Sequence, residues 1–491
     1  AEAIQAGFIS FILALIIVLA YMAFYYSAAG LVADLALLAN LFFVMGVLSS
    51  LGATLTLPGI AGIVLTIGMS VDANVLIYER IREELRAGKG VRLAIVDGYK
   101  NAYSSIIDAN ITTLLTGIIL YIFGTGPIKG FATTLIIGIA TSLFAAIFIT
   151  RLLFEWRLDT NATPRFSTTL TQNLMTNTNF QFVRKRRLFY LISGVIILLG
   201  LGSLSMRGLN YGVDFTGGRS YIVRFDETFN VSDVAASVGN EFIAEDGRKL
   251  IPEVKTYGAK NQVKLTTKYL IDHEGVEVED QVEEALFNGL KPFLNGIGMD
   301  QFQEEHLMSS QKVGPTIADD IKQGAIWAVI FSLIVIFLYI VIRFRKWQFG
   351  LGALVAMFHD VVVVLSLYSI LYGLMPFSLE IDQAFIAAIL TVVGYSINDT
   401  VVVFDRIREY LGLHKRKDYE GVINDALNST LSRTMNTSLS TLVVLLMIFF
   451  FGGEVIQGFV FALIIGVVVG TYSSLCVATP VVVDIGKRRA Q

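Results

Sequence analysis

Three ionisable side chains lie inside long apolar runs of this chain: Asp399, about five residues before the end of its run, Arg433, just inside the next one, and Asp72. Charges at such depth are expensive in hydrocarbon and by default face a bundle interior, where they handle ions or protons. Around Arg433, the residues Ser429, Asn436 or Thr437, and Ser440 recur every three or four positions and share one helical face. An arginine there needs an anion, and Asp399, at a similar depth on the preceding helix, is the candidate by topology. Asp72 has no basic partner within its own half of the chain. Two acids and one permanent cation suit a proton relay, because burial and the cation pull each carboxyl in opposite directions. The alternative is a set of ion pairs that fixes helix register. Asp108, Asn398, Thr400, Asn436, Thr437 and Asp360 are expected as further polar lining; Asp360 follows His359, a weak signal by itself. No zinc pattern, nucleophile elbow or phosphate loop accompanies them. Enzymatic chemistry has no support, and no metal or organic cofactor is expected; protons, or sodium ions, are the expected coupling species.

The setting of these acids repeats. Residues 68–85, GMSVDANVLIYERIREEL, align without a gap on 394–411, GYSINDTVVVFDRIREYL, at an offset of 326. Asn110 falls on Asn436 at the same offset, and Gly130-Phe131 falls on Gly458-Phe459 at 328. The acid slips by one place, since Asp72 faces Asn398 and Asp399 faces Ala73, and Ile107 stands opposite Arg433. The frame is doubled and the charge is not. Each Arg-Ile-Arg-Glu cluster closes its helix in a basic loop, so the two copies run the same way, as parallel repeats about an axis along the membrane normal. These clusters are expected mainly as topology anchors and i,i+4 pairs.

The elements that must position the acids follow from composition. With 54% hydrophobic and 16% charged residues, this is an integral membrane protein. Apolar stretches of about 20 residues, the length a spanning helix needs, recur at 7–27, 30–51, 58–78, 104–124, 130–153, 188–206, 323–342, 348–373, 383–404, 431–451 and 457–479. A net charge of −3 argues against a nucleic-acid partner, and one cysteine, Cys476, excludes an intrachain disulfide. Lys and Arg gather in alternate loops: Arg80 to Lys100, Arg184 to Arg187, Arg343 to Lys346, Arg406 to Lys417 and Lys487 to Arg489. By the positive-inside rule these are cytoplasmic, which puts the N-terminus outside and the C-terminus inside.

The chain divides into a first transmembrane half of about five spans (1–157), a polar cytoplasmic linker (158–187), one span (188–206), a soluble segment (207–318) and a second bundle of about five spans (319–491). The soluble segment reads as β-α-β-β-α-β, the split-βαβ or ferredoxin-like plan. Its strands are expected at 221–225, 262–267 and 302–307, a helix capped by Ser232 follows Asn230, and an amphipathic helix covers 278–294. Gly217-Gly218 reads as a turn feeding the first strand.

With these motifs in place, the chain resembles a known family. GMSVDANVLIYERIREE at 68–84, GLNYGVDFTGG at 208–218, VGPTIADD at 313–320, GYSINDTVVVFDRIRE at 394–409, LSRTMNTS at 431–438 and GTYSS at 470–474 are similar to the bacterial protein-export factors SecD and SecF in their joined SecDF arrangement, within the resistance-nodulation-division superfamily. The resemblance implies a helper of the Sec translocon in the bacterial inner membrane. Such a helper uses the proton gradient, or sodium in some members, to draw polypeptides outward. Its partners would be the Sec channel with its associated subunits, unfolded preproteins and lipid. The family's essential acids and arginine fall on Asp72, Asp399 and Arg433, and 207–318 becomes a periplasmic domain. A SecDF chain also begins with a further span and a large substrate-capturing domain; this sequence reads as the remainder. Competing readings are an exporter of a small molecule or lipid from the same superfamily, and a passive scaffold for the Sec channel.

Overall fold

The computed structural model describes residues 2–53, 56–160, 163–175, 178–244, 247–257, 261–273, 275–414, 416 and 418–487. Its apolar runs wind into helices because a single run in hydrocarbon can satisfy its backbone hydrogen bonds in no other way. Among the described residues, eleven helices are long and apolar enough to cross a membrane. They are α1 (Glu2–Tyr26), α2 (Ala28–Ser50), α3 (Leu57–Arg86), α4 (Val91–Phe123), α5 (Gly126–Asp159) and α6 (Arg186–Arg207), then α9 (Pro315–Phe344), α10 (Trp347–Leu371), α11 (Gln383–Leu413), α12 (Tyr419–Phe451) and α13 (Val455–Gly486). Two begin well before their apolar runs, α4 at Val91 and α12 at Tyr419, because polar helical turns precede the apolar core of each. Asp418 caps α12, accepting the Gly421 N–H at 3.0 Å. The basic residues Lys415, Lys417, Arg488 and Arg489 lie outside the described residues.

The chain forms two compact units, one of residues 1–206, 327–367 and 387–491, the other of Arg207–Ile326 and Tyr368–Ile386. In the first unit the doubled sequence becomes a doubled bundle, α1–α5 matching α9–α13. The paired glycines explain how the halves approach. A Cβ on Gly394 would sit 2.5 Å from Thr116 Oγ1 of α4, and one on Gly68 would sit 3.2 Å from Thr441 Oγ1 of α12. Each glycine thus admits a threonine of the opposite half. Two π-helical turns, Ala145–Ile149 in α5 and Ser474–Ala478 in α13, fall within one residue of each other under the repeat. Such turns often mark functional positions.

The stretch expected as a polar linker is packed rather than loose where it is described. Phe166 is buried against Tyr78 and Phe154, Thr171 Oγ1 donates to Tyr25 O at 2.7 Å, and the Phe180 N–H donates to Asn428 Oδ1 at 2.8 Å. Isolated aromatics in a polar run carry no periodicity, so hydropathy alone does not show them as anchors.

The second unit contains a four-stranded sheet of β1 (Gly218–Arg224), β2 (Glu253–Thr256), β3 (Gln262–Thr267) and β4 (Leu307–Val313), with helices α7 (Val231–Glu241) and α8 (Val276–Leu290). The order β2-β3-β1-β4, antiparallel throughout, is the expected split-βαβ arrangement. Val223, Leu265, Val234, Val238 and Leu286 form its core with no exposed surface. Three local expectations are corrected. The cap of α7 is Asn230, which accepts from the Ser232 N–H. The second helix runs 276–290 and passes into a 3₁₀ turn at Pro292. The last strand is 307–313 rather than 302–307, since 302–306 is a π turn. That strand, LMSSQKV, is a largely exposed edge and lacks the apolar alternation that reveals its neighbours. Gly217 and Gly218 have φ of 65° and 139°, so only glycine fits this entry to β1 without strain. A Cβ on Gly218 would lie 3.0 Å from Thr267 O.

Candidate functional site

Helices α3, α11 and α12 carry the three ionisable residues into the bundle, where all three are buried. Arg433 Nη2 stands 3.9 Å from Asp399 Oδ1, while Nε and Nη1 of Arg433 have no hydrogen-bond partner. Asp399 Oδ2 accepts a long bond of 3.5 Å from Ser438 Oγ, which lies 2.6 Å from Thr471 Oγ1 of α13. Neither oxygen of Asp72 is hydrogen-bonded. A cavity of about 20 Å³ lies among Asp72, Asn110, Thr113, Asn398 and Arg433, room for about one water. Two carboxyls and one guanidinium therefore share a buried, under-satisfied site. A half-satisfied buried polar group is costly where it merely holds a fold together, and it is what a group that exchanges partners requires.

Arg433 also lines a second cavity, of about 360 Å³, together with Glu79, Arg80, Glu83, Arg406 and Ser429. At its rim the two repeated Arg-Ile-Arg-Glu clusters meet. Arg80 bonds Glu83 at 3.0 Å and Glu409 at 2.8 Å; Arg406 bonds Glu409 at 3.0 Å and Glu83 at 2.7 Å. The four residues close a ring in which each arginine joins the glutamate of its own helix to that of the other half. The clusters are more than the anchors and i,i+4 pairs expected of them: the pairs within a helix are i,i+3, and the others cross between halves. The sequence repeat contains this symmetry, but helix-surface spacing cannot show which faces oppose.

The other expected lining residues separate. Asn398 borders the Asp72 cavity. Asn436 Oδ1 accepts from the Tyr21 hydroxyl of α1 at 3.0 Å, and Thr437 turns its hydroxyl back to Thr434 O. Asp108 faces α9, where Arg343 Nε lies 2.6 and 2.7 Å from its two oxygens and the Tyr339 hydroxyl donates at 2.9 Å. Thr400 lies on the other face of α11 against Ser474, and Asp360 of α10 packs there against Ser396. Sequence reasoning did not find Arg343, hidden in a run read as a basic anchor, nor Asp34, which falls on Asp360 at the offset of 326 and was therefore within reach of the repeat.

Comparison with known proteins agrees with this architecture. The family model described as "Protein export membrane protein SecD/SecF, C-terminal" matches residues 1–159 and 297–488, and that of the "SecD/SecF GG Motif" matches 202–228. The chain belongs to the SecD/SecF family. The protein translocase subunit SecDF of Thermus thermophilus is 38% identical over 496 residues, covering 99% of this chain and 62% of the relative. The subunit SecF of Rhodothermus marinus is 46% identical over 316 residues, 64% of this chain and 96% of the relative. A crystal structure of SecDF from Thermus, titled a translocon-associated membrane protein, superposes with a TM-score of 0.85 at 36% identity, over 99% of this chain and 63% of that one. The chain thus spans about three fifths of the length of these SecDF relatives. Within the family, 217–218 is the Gly-Gly pair that lies in the segment matched by the second model.

Proposed function

We propose that this chain is the membrane-embedded portion of a Sec-associated export factor of the bacterial inner membrane, which uses the proton or sodium gradient to promote passage of polypeptides. The reading places the basic loops in the cytoplasm, the N-terminus and the 207–318 segment on the periplasmic side, and the C-terminus inside. Its partners are the Sec channel with its associated subunits and unfolded preproteins. Membership of the SecD/SecF family supports the export role. The coupling role rests on one observation: Asp72, Asp399 and Arg433 share one buried site whose polar atoms are largely unpartnered.

Arg433 stays charged at any physiological pH, so the species that moves is a proton or cation on the carboxyls. With Asp399 at 3.9 Å and Asp72 across a one-water cavity, a small swing of the guanidinium changes which acid it neutralises. The other acid then takes up the coupling ion. The membrane field adds about 2.3 kcal/mol per charge per 100 mV to such a step. The large cavity beneath the Arg80–Glu409 ring gives this site a water route on the basic, cytoplasmic side. The test uses the full-length protein in vesicles with the Sec channel, following gradient-dependent ion flux and preprotein export. Asp399→Asn and Arg433→Lys are expected to lose both. Flux and export that persist in both variants would overturn the relay, and a contribution to export that is unchanged when the gradient is dissipated would leave a passive scaffold as the better account.

A further inference from the structure

A connected buried polar cluster outside that site lies on the opposite face of α11. Asp360 of α10 has no exposed surface. Its Oδ2 accepts from Ser396 Oγ of α11 at 2.5 Å and from Ser473 Oγ of α13 at 2.7 Å. Its Oδ1 lies 2.9 Å from His359 Nδ1, and His359 Nε2 lies 3.1 Å from Ser193 Oγ of α6. Ser193 continues to the Tyr472 hydroxyl at 3.1 Å, which in turn reaches Phe189 O at 3.2 Å. The other titratable groups near the pair are Tyr472 and Cys476 on α13 and, further along α6, Tyr190, bonded to Asp484; α6 and α11 otherwise present hydroxyls to it.

Counting protons along this chain gives two arrangements. When Tyr472 donates to Phe189 O, Ser193 must donate to Tyr472, so His359 Nε2 must carry a proton to donate to Ser193. Between Nδ1 and Asp360 there must then be a further proton, on one or the other. When Tyr472 instead donates to Ser193, Ser193 donates to a bare Nε2, and Nδ1–H donates to an ionised Asp360. The second arrangement holds one proton fewer. One proton added at the Tyr472 hydroxyl, with Tyr472 passing its own proton to Ser193 and Ser193 passing its own to Nε2, converts the second into the first with no heavy atom displaced.

The repeat indicates that folding alone does not demand this cluster. The equivalent of Asp360 is Asp34 on α2, but Ala33 stands where His359 does, and Ala145 and Ala146 stand where Ser473 and Ser474 do. Asp34 Oδ1 is left without a hydrogen bond. The same helix packs in both halves, and Ser70 keeps the hydroxyl of Ser396, but only the second half has the imidazole and the hydroxyls of Ser473 and Ser474. We infer that His359 and Asp360 form a second proton-binding site, separate from Asp72, Asp399 and Arg433, which takes up one proton through the Ser193–Tyr472 hydroxyl chain.

Nitrogen-15 NMR of histidine-labelled protein reconstituted in membranes reads this directly, and with four histidines in the chain the His359 signals are assigned by His359→Gln. Nε2 is expected to pass from bare to protonated as the pH is lowered. In Asp360→Asn the midpoint is expected to fall by at least about one unit, a tenfold loss of proton affinity. Ser193→Ala, a smaller change for use if the Asn variant does not fold, is expected to move the midpoint as well. An Nε2 that keeps one protonation state throughout, or a midpoint unmoved in either variant, would overturn the site. So would a shift on replacing potassium by sodium as large as that in Asp360→Asn, since the ligand would then be a metal cation.

Discussion

Arg433 faces two carboxylates and is hydrogen-bonded to neither: Asp399 Oδ1 is 3.9 Å from Nη2, and Asp72, across a cavity the size of one water, has both oxygens free of hydrogen bonds. A buried cation with two candidate anions is insured against the loss of one. Asp72→Asn and Asp399→Asn are each expected to leave Arg433 with a counter-charge. The double variant leaves none, a situation that costs about 3–5 kcal/mol for a buried group. The double loss should therefore exceed the sum of the single ones in denaturant or thermal unfolding of the detergent-solubilised protein. Additivity within about 0.5 kcal/mol, the behaviour of independent sites, would show that the two acids do not share the arginine.

How legible this was depends on which physical signal each residue emits. Asp72, Asp399 and Arg433 stand out because a charge in an apolar run is rare, and the repeat placed the two acids in equivalent helices. The ring of Arg80, Glu83, Arg406 and Glu409 was only half legible: its members were visible, but spacing on one helix does not reveal the helix opposite. Asp108 was visible, while its partner Arg343 looked like any basic residue at a helix end. Asp360 and Thr400 were assigned to the same core as Asp399, yet residues 399 and 400 on one helix point about 100° apart, and α13 occupies the other side. Strand β4 stayed hidden because an exposed edge strand has no apolar alternation to read.

The ring between the halves lends itself to charge exchange. Arg80→Glu is expected to disrupt the halves' contact by placing three acids together, and Arg80→Glu with Glu409→Arg is expected to recover part of the loss, since Arg80 and Glu409 lie 2.8 Å apart on different halves. The glutamates are partly exposed, 33% and 39%, so a coupling energy of about 0.5–1 kcal/mol per pair is expected, weakening in high salt. A double-mutant cycle on thermal unfolding at two salt concentrations measures it. A coupling of zero at low salt would show that the ring is a consequence of packing and does not hold the halves together.

Gly394 tests the packing of the same two halves without charge. A Cβ there would meet Thr116 Oγ1 at 2.5 Å and its Cβ at 3.4 Å, so Gly394→Ala should cost about 1–3 kcal/mol by overpacking. Thr116→Ala removes the atoms in the way, and the double variant should regain most of that loss. Failure of Thr116→Ala to rescue Gly394→Ala would mean that the glycine is required for some reason other than the opposing threonine.

Outside the membrane bundle, Arg219 on β1 is 1% exposed and donates to Glu279 of α8, whose other oxygen accepts from Lys312 Nζ on β4 at 2.8 Å. The bond from Arg219, reinforced by Lys312, holds the Glu279 carboxyl below its ordinary range. A carboxyl depressed in the folded state binds fewer protons there than in the unfolded chain, so stability rises with pH through that interval. The contribution is therefore complete above the unfolded value of about 4.3 and is lost as the pH falls through the folded one. Protection of the β1 and β4 amides against hydrogen exchange in the intact protein, taken relative to the intrinsic exchange rate at each pH, is expected to fall on acidification below that point. In Glu279→Gln the protection should already be reduced at neutral pH, because Arg219 loses its charged partner and keeps only neutral acceptors, the carbonyls of Tyr269 and Leu270 among them, and this part of its acid dependence should disappear. An unchanged acid profile in Glu279→Gln would move the titration to another carboxylate and leave Arg219 a buried cation balanced by backbone dipoles.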